Sequence, residues 1–235
     1  MAEIATNRRL IAIGDSHLDA LKVAADHGML RAGSCVFSIV PGATVVGLRN
    51  PNSITDAIAI FRKAIFKEPK ESSILIHLGE VDCGFVIWYR AMKYCESVQN
   101  QLAQSLGAFE DFVNELMEAG YRELCITGAT LPTIRDGIDW GDVVNARSSV
   151  NVSLYERTQL TLEFNAQLSS LADRLGLYYF DLTDFVIDRD SMLVNDYFRD
   201  KDPANHHLDF EKVAALWANK CNQFLSCIED NIYHD

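Results

Sequence analysis

The chain lacks the features that would place it on a nucleic acid or in a membrane. No dense run of Lys and Arg interrupts a formal charge of −12, the balance of 33 acids against 21 bases. Its long-range field therefore repels polyanions and anionic lipid surfaces. No apolar stretch approaches the roughly 18 residues of a membrane span, and Met1 to Arg9 lacks the apolar core of a secretory signal. These absences lead to the expectation of a soluble, cytoplasmic protein with neither nucleic acid nor membrane as a partner. CxxC spacing is missing as well. The six cysteines (Cys35, Cys83, Cys95, Cys125, Cys221, Cys227) are scattered, which argues against a disulfide framework. Cys35 and Cys125 fall in apolar runs, where a free thiol behaves as a small hydrophobe. There is no HxxxH pair, no Walker loop and no dinucleotide fingerprint, so neither a metal nor any other cofactor is expected. Internal repeats, low-complexity tracts and linkers are absent too.

What is present is an ordinary globular composition of 49% hydrophobic and 23% charged residues over 235 positions. That suffices for one domain spanning 1–235 with a full core. Short apolar runs predict strands at Leu10 to Ile13, Cys35 to Val40, Ser73 to Leu78, Glu123 to Thr127 and Leu177 to Phe180. Longer amphipathic stretches between them predict helices at Leu18 to Leu30, Ser53 to Lys67, Ser97 to Ala119, Tyr155 to Leu175 and Phe210 to Cys227, with Gly120 and Gly176 at helix ends. Strands alternating with helices give an α/β fold: a three-layer α/β/α sandwich around a five-stranded parallel sheet. The irregular stretches Leu131 to Val152 and Asp188 to Asn205 leave the sheet near the carboxyl ends of strands, where such sheets place ligands.

Chemistry concentrates in two places. The run Ile11-Ala12-Ile13 ends abruptly in Gly14-Asp15-Ser16-His17, which sets a hydroxyl at the edge of the sheet. Asp and Ser are also good helix caps, so a purely structural role for Asp15 or Ser16 stays open. Near the other end, Asp202-Pro203-Ala204-Asn205-His206-His207-Leu208 offers a carboxylate and two imidazoles just before a helix. An early serine with a late acid and histidine suggests hydrolysis or acyl transfer by an activated hydroxyl. His17, His77, His206 and His207 are possible metal ligands by residue type, but adjacent histidines diverge on most backbones, and no metal is expected.

Gly14-Asp15-Ser16-His17, between an apolar strand and a helix, resembles the first block of the SGNH, or GDSL, hydrolase family. Pro41-Gly42-Ala43 after the second strand resembles the second block, and Gly79-Glu80-Val81-Asp82 after the third strand resembles the third. Val81 stands where the family has its oxyanion-binding asparagine. The final block of the family is Asp-x-x-His. Here Asp202 precedes His206 and His207 at a spacing longer by one residue or two, and His207 is preferred because His-Leu-Asp leads into the last helix. A long helix with Arg157 and Asn165, followed by Tyr179-Phe180-Asp181, completes the likeness over nearly the whole chain.

The resemblance implies a serine esterase acting on a small-molecule ester, such as an O-acetyl group of a sugar or metabolite. Ser16 would be the nucleophile, His207 or else His206 the base, and Asp202 the group orienting it. The amides of Ser16 and Gly42 would face the oxyanion, with Glu80 either turned into the pocket or a solvated loop acid. Acyl transfer on the same machinery, or a noncatalytic binding protein with a degenerate site, are the alternatives.

Overall fold

The computed structural model describes residues 8–50, 52–137 and 150–232. Five parallel strands, β1 (Arg9–Gly14), β2 (Ser34–Ile39), β3 (Ser73–His77), β4 (Leu124–Thr127) and β5 (Tyr178–Phe180), form one sheet in the order β2-β1-β3-β4-β5. Each lies within a residue or two of the apolar run that predicted it. Covered on both faces, such strands read as continuous apolar segments.

Alternation along the strands divides the core in two. Ile11, Ile13, Ile74, Ile76 and Ile126 point to one face, against Phe61 of α2 (Ala57–Phe66), Phe109 and Phe112 of α4 (Val98–Glu118) and Phe164 of α5 (Leu154–Leu175). Leu10, Ala12, Leu75 and Cys125 point to the other, against Leu21 of α1 (Asp19–Asp26) and Trp217 and Phe224 of α7 (Phe210–Ile232). The predicted sandwich is therefore present. Side-chain caps fix where the long helices begin: Ser97 accepts from the Asn100 amide, and Ser153 with Glu156 forms a reciprocal capping box. Gly176, in the left-handed region at φ +67°, ends α5.

Two regions differ from the sequence reading. After β3 the chain winds into a π-helical turn, Asp82–Val86, that runs into α3 (Ile87–Tyr94). Neither was anticipated. The stretch from Asp188 to Asn205, expected to be irregular, contains part of a small antiparallel hairpin, β6 (Ile187–Asp188) with β7 (Leu193–Val194), which follows the short α6 (Thr183–Val186). Of the other expected loop, Leu131 to Val152, residues 138–149 lie outside the described residues. Among the described residues no helix is long and apolar enough to cross a membrane.

In the strand order, connections reverse direction between β1 and β3. The crevice at the carboxyl ends of those two strands is where open α/β sheets bind ligands. Ser16 follows β1 and Glu80 follows β3 at that crevice.

Candidate active site

β1 ends at Gly14, which lies opposite Ile39 of β2 and His77 of β3. A Cβ on Gly14 would sit 2.2 Å from the His77 carbonyl oxygen, so only glycine allows this close approach. The Asp15 amide donates to the same carbonyl at 3.2 Å, and the buried Asp15 carboxylate accepts from the His17 amide at 2.9 Å. Asp15 is thus the cap of the one-turn 3-10 helix Ser16–Leu18. The capping role that sequence left open for Asp15 or Ser16 falls to Asp15, and Ser16 keeps its hydroxyl for another partner.

That partner is His207: its Nε2 lies 2.8 Å from Ser16 Oγ. Between the two candidate histidines, the geometry selects His207 as the one bonded to the serine. On the far side of the ring, His207 Nδ1 is 2.8 Å from Asn205 Oδ1, which also accepts from the His207 amide at 3.1 Å. A carbonyl oxygen can only accept, so Nδ1 carries the proton and Nε2 presents its lone pair to the serine.

The expected orienting role of Asp202 is corrected here. Its side chain is exposed and its Oδ1 accepts from the Ala204 amide at 2.9 Å, closing a local turn. Asn205, two residues before the histidine, occupies the place expected for the acid. Sequence reasoning passed over it because Asp202 had the expected residue type. The loop is held on either side by an antiparallel bridge between Arg199 and Leu208 and by the Asp209 amide donating to the Phe198 carbonyl at 2.9 Å.

Gly42 lies at the carboxyl end of β2 in the turn Val40-Pro41-Gly42-Ala43, closed by the Ala43 amide on the Val40 carbonyl at 3.0 Å. Proline at the second position and a glycine at φ +73° at the third are the demands of a type II turn. Just beyond, the Val45 and Val46 amides donate to the buried Asp82 carboxylate at 2.7 and 3.2 Å. Asp82 thereby ties the loop after β3 to the loop after β2. Burial pushes its carboxyl up to about 7, against the lowering effect of those amides.

Glu80 is 1% exposed, not a solvated loop acid, and its Oε2 lies 3.5 Å from His17 Nε2. Val81 is half-buried between it and Asp82. His17, His206 and His207 cluster at the same end of the sheet. The His206 and His207 rings lie tilted by 39° with centroids 3.9 Å apart, and the His17 ring is edge-on to both at 5.4 and 4.6 Å. The expectation that adjacent histidines diverge does not hold in this loop. Both His77 nitrogens are engaged inside the fold: Nδ1 meets Thr127 Oγ1 at 2.8 Å, Nε2 meets Thr130 Oγ1 at 3.2 Å, and the ring lies edge-on to Trp217. Asn165 of α5 pins the loop after β4, accepting from the Ala129 amide at 2.7 Å and donating to its carbonyl at 3.0 Å.

No protein-family model matches the chain, and no curated protein matches it either. Solved structures do. A carbohydrate acetylesterase family member from Sinorhizobium meliloti superposes with a TM-score of 0.61 at 14% identity, covering 93% of this chain and 97% of that one. A GDSL-like lipase from Bacteroides thetaiotaomicron gives 0.57 at 10% identity over 95% and 91% of the two chains. A catalytic mutant of an acetylxylan esterase from Geobacillus stearothermophilus gives 0.54 at 13% identity over 93% and 95%. Likeness at these identities is a likeness of architecture, and it agrees with the strand order and the placement of the four sequence blocks: the chain has the SGNH/GDSL hydrolase fold.

Proposed function

We propose that this chain is a serine ester hydrolase whose nucleophile is Ser16, whose base is His207 and whose orienting group is Asn205. The observation that carries the reading is the 2.8 Å contact between Ser16 Oγ and the lone-pair nitrogen of His207. In the first half-reaction Ser16 attacks the ester carbonyl as its proton passes to Nε2, and the imidazolium then protonates the departing alcohol. Water repeats the sequence on the acyl-serine, with His207 again as base. The backbone amides of Ser16 and Gly42, at the ends of neighbouring strands, are assigned to the developing oxyanion. Glu80, buried against His17, is assigned to the wall of the same pocket. An amide in place of a carboxylate beside the base keeps the tautomer fixed but adds no charge to stabilise the imidazolium. The chemistry therefore runs without one of its usual electrostatic contributions.

For the substrate we propose a small acyl group, such as acetyl, on a polyhydroxylated alcohol. A cleft that takes in Asn205 is also lined by Thr133, Arg135, Arg199, Asp200 and Lys201, side chains suited to hydroxyl groups and poorly suited to a long acyl tail. Two of the similar structures are of acetyl esterases, one named for xylan, which favours the same class. The test is hydrolysis of p-nitrophenyl acetate by wild type and Ser16→Ala, with folding checked by thermal melting. Loss of activity in a folded variant is expected. Equal background-corrected rates would remove Ser16 from the reaction.

A further inference from the structure

Three imidazoles converge beside Ser16. One ligand nitrogen from each of His17, His206 and His207 lies within 4.8 Å of the other two. His17 is buried, whereas His206 and His207 are half-buried on the loop that leads into α7, so the cluster opens toward solvent on one side. We propose that these three histidines form a binding site for a divalent transition-metal ion of the zinc type, and that the bound ion switches the serine off.

The donor set decides the class of ion. Neutral imidazoles suit zinc, cobalt, nickel and copper, while magnesium and calcium require oxygen ligands. Three protein nitrogens with a fourth position left open is a common zinc arrangement. With metal–nitrogen bonds of about 2.0 to 2.1 Å, tetrahedral ligand atoms stand roughly 3.4 Å apart, so the rings must close by at most about 1.4 Å. The exposed side of the cluster, on a loop, is the part that can make this adjustment. Glu80 meets the His17 ring at 3.5 Å, and a carboxylate on the imidazole of a ligand is the usual device for fixing its orientation.

The consequence for hydrolysis follows from the tautomer of His207. Nδ1 is engaged by Asn205 Oδ1, so the nitrogen available to a metal is Nε2, the one that faces Ser16 Oγ. One lone pair cannot both coordinate a metal and accept the serine proton. Occupancy therefore removes the base without disturbing the fold. The binding half of this proposal is independent of the hydrolase reading, whereas the inhibitory half rests on it.

The experiment titrates chelator-stripped protein with Zn²⁺ by calorimetry and with Co²⁺ by visible absorption, using wild type, His206→Asn and Glu80→Gln. Wild type is expected to bind one ion per chain, with cobalt giving the visible bands of a nitrogen-ligated tetrahedral site. Losing the outer carboxylate should weaken binding about 10- to 100-fold, and losing a ligand by His206→Asn at least as much. One equivalent of Zn²⁺ should abolish p-nitrophenyl acetate hydrolysis by wild type, with recovery on adding chelator, while the hydrolysis that His206→Asn retains resists zinc. No stoichiometric binding, or binding that His206→Asn leaves unchanged, overturns the site and would place any ion elsewhere, for example on the exposed thiols of Cys95 and Cys227. Metal binding lost in His206→Asn, in a protein with no esterase activity, upholds the site and counts against the hydrolase reading alone.

Discussion

Replacing Asn205 separates two contributions that a group beside the base can make, orientation and charge. Its Oδ1 is 2.8 Å from His207 Nδ1, and a neutral hydrogen bond of this kind is worth about 0.5 to 1.5 kcal/mol net. Asn205→Ala should therefore lower kcat by about two- to tenfold through lost orientation, since 1.4 kcal/mol corresponds to a factor of ten. Asn205→Asp keeps an acceptor in place and adds a negative charge beside the imidazolium formed in the transition state. At about 4 Å that charge is worth about 1 kcal/mol in water and about 4 kcal/mol at an effective dielectric constant of 20. A half-buried loop lies between these limits, so a rise in kcat of about five- to a hundredfold is expected. The assay is steady-state hydrolysis of p-nitrophenyl acetate in chelator-containing buffer at about pH 8, where an ordinary histidine is neutral. Thermal melting checks the loop, because Asn205 also accepts from the His207 amide. The expected order of kcat is Asp above Asn above Ala. Wild-type turnover in Asn205→Ala, or an Asp variant slower than the Ala variant, would refute the role given to this side chain.

Three further outcomes are expected. Val81→Asn should raise kcat more than it lowers KM, up to a ceiling of about 10²- to 10³-fold and by less if neighbours leave the amide unoriented; unchanged turnover in a stable variant would mean the oxyanion site is already complete. Asn165→Ala strips partners from the buried amide and carbonyl of Ala129, which should cost about 2 to 5 kcal/mol in denaturant unfolding, and a loss under 1 kcal/mol would contradict that pairing. For His77, burial, only partly offset by the Glu80 charge and the Gly128 backbone, pushes the pKa down to about 4. Below about pH 6.5 the unfolded chain takes up a proton that the folded chain refuses, so this contribution to stability is present above pH 6.5 and lost as pH falls toward 4. The stability difference between wild type and His77→Gln should shift against wild type by about 2 to 3 kcal/mol from pH 7 to pH 4.5, and a constant difference would refute it.

The parts of the molecule legible in the sequence are those set by local pattern. Ile11 to Ile13 and Ile74 to Ile76 are buried on both faces, and such strands are visible as uninterrupted apolar runs. Helix ends were legible at Ser97 and Gly176, where one residue performs local backbone chemistry, whereas the capping box at Ser153 was not read. The π-helical turn at Asp82–Val86 was not legible, because Asp82 is drawn inward by amides of Val45 and Val46, far away in the chain. The pairing of Ser16 with His207 was reached from their neighbours in sequence. Asn205 was missed, although an amide two residues before a histidine is a geometry in which a short side chain turns back onto the following residues. The meeting of His17 with His206 depends on two loops crossing the end of the sheet, and no local pattern announces it.

The most direct test of the central claim is covalent. A small fluorophosphonate reacts with a serine only when a base has made its hydroxyl nucleophilic, and the adduct is read by peptide mass spectrometry. One adduct per chain on the peptide containing Ser16, lost in a folded His207→Ala variant, is the expected result. A folded wild-type protein that stays unmodified, or that is labelled at another residue, would contradict the assignment of Ser16 and His207 as nucleophile and base.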